Sequence, residues 1–158
     1  MLGPSACHNR LMGLLSSADQ ARLREAFAEM THPVRLLFFT QTLDCESCPA
    51  TRQILDELPP LSDKISVEEF NVVIDVDKAK QYRIDRAPGI ALVGQDGGGA
   101  ERDSRIRFLG APSGYEFISL VQAVLLVGGR LSTLSDDTRK RLAMVDKPVT
   151  MQVFTTPT

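Results

Sequence analysis

The sequence predicts an α/β domain, a mixed four-stranded sheet flanked by helices, and three observations carry that expectation. Strand-like apolar runs alternate with helix-patterned stretches through the first half, which implies parallel pairing. Two later strand-like runs, "GIALVGQ" and "RIRFLG", are joined by the glycine-rich "DGGGAERDS", a hairpin signal that implies an antiparallel edge. Finally, 158 residues with 43% hydrophobic and 24% charged side chains suffice for one well-buried core and no second full domain.

In chain order, Ser17-x-x-Gln20 reads as a capping box, and Leu23, Phe27 and Met30 follow at helical spacing until His32-Pro33. "VRLLFFT" (Val34 to Thr40) is nearly continuous apolar chain, as in a central strand covered on both faces. After two cysteines, Pro49 suits a first helical turn, and Ala50, Ile54, Leu55 and Leu58 share a face up to Pro59-Pro60. "KISVEEFNVV" reads as a second strand and "DVDKAKQYRI" as a short polar helix. "GYEFISLVQAVLLVGG" is a broad apolar helix stopped by Gly128-Gly129. The predicted order is β-α-β-α-β-β-α, preceded by one extra helix.

The net charge of -2 gives no electrostatic reason to expect nucleic acid or an acidic membrane as partner. No apolar run approaches the roughly 20 residues that span a bilayer. Cys7 follows small residues but has no apolar segment before it, so the first fifteen residues read as a loose tail and the protein as cytoplasmic. In that reducing setting a C-x-x-C pair is redox-active or metal-binding more often than a structural staple.

Cys45 and Cys48 form that pair, in "LDCESC". They sit after a buried strand and at the head of a helix, where unpartnered backbone N–H groups stabilise a thiolate. Cys45, the more exposed, is the expected nucleophile, and Cys48, about a turn on, the resolving thiol. Glu46 places a negative charge beside the thiolate, Ser47 offers a hydrogen bond that offsets part of it, and Asp44 adds a second carboxylate. Together these point to a reducing couple rather than a strong oxidant. Ala87-Pro88, just before the third strand, is a candidate cis peptide. It would bring that loop beside the cysteine helix, block a metal from the pair and offer backbone groups to an extended peptide. No metal is expected: Cys7 and His8 lie in the loose tail, and an iron–sulfur cluster shared between two C-x-x-C pairs of a dimer is the better of two weak metal readings. His32 suits a helix end, and "DGGGAE" lacks the Lys-Ser/Thr of a phosphate loop.

The C-terminus echoes the first strand. "HPVRLLFFT" at residues 32–40 returns as "KPVTMQVFT" at 147–155, with Val34/Val149, Phe39/Phe154 and Thr40/Thr155 keeping the Pro33/Pro148 offset. Each copy follows a helix, the second covering roughly Ser135 to Val145.

With "LDCESC", "YRIDRAPG" and "FLGAPSGYEF" in place, the chain resembles the N-terminal half of the glutaredoxin-like protein disulfide oxidoreductases, which carry two thioredoxin-fold units in tandem. "FLGAPSGYEFISLVQAVLLVGG" is also similar to the N-terminal domain of the flavin-containing subunit of alkyl hydroperoxide reductase. The resemblance implies a thioredoxin fold over residues 17–130, after a flexible tail (1–16) and before a linker helix and the first strand of a truncated second unit (131–158). It further implies dithiol–disulfide exchange with Cys45 as nucleophile, Cys48 as resolving thiol and Pro88 as cis-proline, Glu46, Ser47 and Ala87 tuning the site or binding substrate. No cofactor is expected beyond the Cys45–Cys48 disulfide. Expected partners are protein disulfides or dithiols, with a thioredoxin-reductase-like donor or a peroxiredoxin. The alternative is a docking or dimerisation module of low activity. "VTMQVFT", lacking its own sheet, stays disordered, folds back, or pairs with another molecule into a homodimer.

Overall fold

Strand Val34–Thr40 (β1) holds the centre of a sheet ordered β2-β1-β3-β4, where β2 is Ile65–Asn71, β3 Gly89–Gln95 and β4 Glu101–Leu109. The computed structural model describes residues 13–95 and 98–155. β1 runs parallel to β2, with Val34 opposite Ile65 and Thr40 opposite Asn71. It is antiparallel to β3, with Phe39 opposite Gly89, and β4 returns antiparallel to β3. This is the predicted mixed sheet.

β1 is almost entirely apolar because both its faces are covered. Leu36 and Phe38 point into a core shared with Phe27 and Met30 of helix Ser17–Ala28 (α1) and its exit, and with Leu55 of helix Cys48–Asp56 (α2). Leu120 and Val124 of helix Tyr115–Val127 (α4) complete that core. Leu37 and Phe39 point the other way, onto Ala79 and Tyr82 of helix Val76–Tyr82 (α3). Phe39 stacks on Phe70 with ring centroids 5.5 Å apart.

Several boundaries differ from the sequence reading for local reasons. The cap of α1 is Ser16, one residue early: its Oγ accepts from the Asp19 N–H at 3.1 Å and donates to the Asp19 carboxylate at 2.6 Å. The Leu14 N–H donates to Glu57 Oε1 at 2.8 Å and Leu15 packs on the core, so the end of the expected tail is tied down. Cys7 and His8 lie outside the described residues. β4 starts at Glu101 rather than Arg105, because its first half is a charged edge strand without an apolar pattern. A register shift separates Ala91 from Val93 along its partner, and Arg105 takes φ 62° there. Ser104 fills the gap: its Oγ donates to the Leu92 carbonyl at 2.7 Å and accepts from the Ile106 N–H at 3.1 Å.

After α4 the chain forms helix Asp136–Ala143 (α5), capped by the Ser135 hydroxyl and burying none of its residues. Residues 147–155 form no strand and are exposed throughout. The echo of β1 there pairs with no strand among the described residues.

Candidate functional site

The cysteine loop leaves the C-terminal end of β1, and the proline loop enters β3 beside it, since Phe39 stands opposite Gly89. Two elements of opposite direction thus bring Cys45–Cys48 and Ala87–Pro88 to one end of the sheet. Cys45 and Ala87 both pack against the core cluster that contains Cys48. The Ala87–Pro88 peptide is cis. The Pro88 carbonyl accepts from the Gly110 N–H at 2.9 Å, which ties this loop to the end of β4.

Cys45 and Cys48 are joined in a disulfide with Cα atoms 5.4 Å apart. Cys48 is buried, at 5% exposure, whereas Cys45 is half-buried. Cys48 is the first residue of α2 and Ser47 its N-cap, so Cys45 lies in the turn before the helix rather than within it. It therefore sits over the end where first-turn N–H groups lack helical partners. The Ser47 side chain makes no capping bond. Its carbonyl instead accepts from Thr51 twice, from N at 2.9 Å and from Oγ1 at 2.8 Å. Thr51 has no exposed surface, and its hydroxyl anchors the peptide between the cysteines.

The approach from β1 is shaped by Asp44, at φ 56°, whose carbonyl accepts from Gln41 Nε2 at 3.3 Å. Glu46 and Asp44 are exposed and join no ion pair among the described residues. Asp85 and Arg86, just before Ala87, pair with each other at 2.8 and 3.0 Å. The Arg86 hydrogen bond holds the Asp85 carboxyl below the usual carboxylate range.

Sequence reasoning missed the apolar side chains at this end. Leu43 follows β1 and is 76% exposed; Val73 and Ile74 follow the parallel β2 and are 69% and 78% exposed. The Asn71 Oδ1 accepts from the N–H groups of Val73 and Ile74, and this turn holds both side chains outward. Only the parallel pairing of β1 with β2 reveals that these loops share an end. Among the described residues no group of three or more His, Cys, Asp or Glu gathers at metal-binding distance, and no helix is long and apolar enough to cross a membrane.

No protein-family model matches the chain. A probable thioredoxin of Methanothermobacter thermautotrophicus is 32% identical over 78 residues, 49% of this chain and 80% of that one. The thioredoxin of Methanocaldococcus jannaschii is 30% identical over 81 residues, 51% of this chain and 82% of its own. Among solved structures, the NTD_N/C domain of alkylhydroperoxide reductase AhpF from Enterococcus faecalis superposes with a TM-score of 0.70 at 30% identity, over 81% of this chain and 59% of that one. A protein disulfide oxidoreductase from Aeropyrum pernix superposes at 0.67 with 24% identity, over 82% of this chain and 55% of the other, and shows the same fold. The chain thus spans little more than half the length of those two solved chains. Shared sequence across most of a thioredoxin's length and the mixed sheet with its cysteine loop agree: the chain belongs to the thioredoxin family.

Proposed function

We propose that this chain is a thiol–disulfide oxidoreductase that passes electrons between its Cys45–Cys48 pair and protein partners. The observation that carries the proposal is the asymmetry of the pair: a half-buried Cys45 outside the first turn of α2 and a buried Cys48 within it. In the reduced form the Cys45 thiolate attacks one sulfur of a partner disulfide, and the partner's other sulfur leaves as a thiolate and takes a proton. The Cys48 thiolate then attacks Cys45 Sγ, breaking the mixed disulfide and releasing the second partner thiol. Two electrons have moved to the partner, Cys45–Cys48 is oxidised, and an external dithiol donor returns it to the dithiol. No further cofactor enters the scheme.

The roles follow the geometry. First-turn N–H groups favour the Cys45 thiolate, while Glu46 works against them and keeps the couple reducing. Thr51 steadies the Ser47 peptide between the two sulfurs. Ala87 and Pro88 border the site where an extended partner segment lies, and exposed Leu43, Val73 and Ile74 give that partner an apolar rim. The AhpF likeness supports a peroxiredoxin or a reductase-like donor as the exchange partner. It equally supports a division into one thioredoxin-fold unit over residues 17–130 and a segment over 131–158 that begins a second. A cytoplasmic location, read from the N-terminal residues, suits a couple kept reducing.

Reduction of insulin disulfides by dithiothreitol tests the reading. The wild type accelerates it, Cys45→Ser abolishes the acceleration, and Cys48→Ser accumulates a mixed disulfide through Cys45. A wild type without activity whose Cys45–Cys48 bond resists dithiothreitol overturns the proposal and leaves a docking module.

A further inference from the structure

On the face it turns to the core, α2 buries Cys48, Thr51, Ile54 and Leu55. Thr51 is the one buried polar side chain among the described residues, in a place that an aliphatic side chain of the same shape would fill. A hydroxyl taken out of water costs free energy unless it is bonded. This one donates to the Ser47 carbonyl at 2.8 Å, and the same oxygen also accepts the Thr51 N–H at 2.9 Å. The other polar end of that peptide is the Cys48 N–H, which donates back to the Cys45 carbonyl at 3.3 Å. Both ends of the peptide joining Ser47 to Cys48 are therefore held, one by Thr51 and the other by Cys45.

We infer that Thr51 is a positioning residue for the resolving step, an assignment that rests on the exchange reading above. While the disulfide is closed, the bond between the sulfurs itself fixes the turn from Cys45 to Cys48. Once it opens, in the dithiol and in the mixed disulfide with a partner, non-covalent contacts alone keep Cys48 within reach of Cys45. The Thr51 hydroxyl then holds the Ser47–Cys48 peptide in the orientation from which Cys48 Sγ meets Cys45 Sγ. Its effect is on effective concentration, because a held turn loses less freedom on closing than a loose one. The first step, attack by Cys45 on the partner, does not use this restraint. Loss of the bond therefore slows closure of Cys45–Cys48 and makes that disulfide easier to reduce, with the first attack unchanged. A hydroxyl that served packing alone would contribute equally to the oxidised and reduced folds and leave the reduction potential where it was.

Two variants separate these roles, each compared with the wild type in a Cys7→Ser background so that only the Cys45–Cys48 dithiol reacts. Thr51→Val keeps the shape and loses the donor, whereas Thr51→Ser keeps the donor and loses a methyl group. In a glutathione redox buffer, Thr51→Val should lower the equilibrium constant for forming Cys45–Cys48 roughly three- to tenfold. That factor moves the potential about 15–30 mV less negative. Thr51→Ser should keep the wild-type constant, although it melts at a lower temperature in both redox states. Stopped-flow oxidation of the dithiol by dithiobis(nitrobenzoate) reads the steps apart. Cys45 releases one nitrothiobenzoate on attack, and Cys48 releases the second as it closes the disulfide. Thr51→Val should slow the second release roughly three- to tenfold and leave the first at the wild-type rate. A Val variant with wild-type potential and second release overturns the inference. Equal slowing of both releases, or a Ser variant whose potential shifts as Val's does, overturns it as well. A wild type that gives no second release overturns the exchange reading itself, and this inference with it.

Discussion

At Asp44 the backbone enters the left-handed region, one residue before the half-buried sulfur. Aspartate tolerates that conformation because its short polar side chain bonds locally, and a β-branched residue does not. Asp44→Val is therefore expected to cost about 1–2 kcal/mol in urea unfolding and to slow exchange with both cysteines intact. Asp44→Gly should stay within a few tenths of the wild type, near 0.5 kcal/mol at most. The sulfur pair itself closes a very short ring, with a sequence separation of 3. In the chain-entropy picture so small a loop stabilises the oxidised fold by only about 2 kcal/mol. Reduction should thus lower the unfolding free energy by no more than that and leave the far-UV spectrum unchanged. A pair that cycles between states without dismantling its scaffold suits turnover better than stapling.

Edge strand β4 carries its stability in polar contacts. Arg107 donates through NH1 and NH2 to the two carboxylate oxygens of Asp103, at 2.9 and 2.7 Å, and through Nε to the Tyr82 carbonyl at the end of α3. Partial burial pushes the Asp103 carboxyl up, but the hydrogen bonds from Arg107 and from the Arg105 N–H, with both positive charges, hold it below the usual range. A carboxyl lowered in the folded state contributes stability that is complete above its unfolded pKa and lost as the pH falls through the folded one. Asp103→Asn should cost about 1 kcal/mol near neutrality, since the pair is partly solvated. It should also flatten the acid-side fall of the melting temperature. At the far end of α4, Gly129 takes φ 101°, and a Cβ there would strike Thr31 Oγ1. Gly129→Ala is expected to cost roughly 1–3 kcal/mol in thermal unfolding.

Across the whole molecule, the packed core and the segment that carries α5 separate. Among the described residues, none of the buried core side chains lies beyond Leu125. Removing residues 131–158 should leave a cooperative melt at dilute concentration, with its midpoint independent of protein concentration. The same separation explains what the sequence disclosed. β1, β3 and α4 were legible because covered faces demand continuous apolar chain or a broad apolar helix. The cysteine pair and Ala87-Pro88 were legible because each is a local pattern. The first half of β4 was not, since Glu101 to Ser104 join the sheet through backbone pairing to β3 and a serine-filled bulge, neither of which leaves an apolar signature. Leu43, Val73 and Ile74 were hidden for a related reason: only strand direction places their loops together. Residues 147–155 carry a strand's composition without its neighbours, and composition cannot supply them.

The exit of α4 adjoins the entry of β1. The Gly128 carbonyl accepts from the Thr31 N–H at 2.8 Å, the His32 N–H at 3.1 Å and the Thr31 hydroxyl at 3.3 Å. The chain thus returns, after its fourth strand and the helix that follows it, to the point from which its first strand set out. A module whose seams meet can be copied in line without rerouting the chain. The echo of β1 after Lys147 follows that seam by one short helix, Asp136–Ala143.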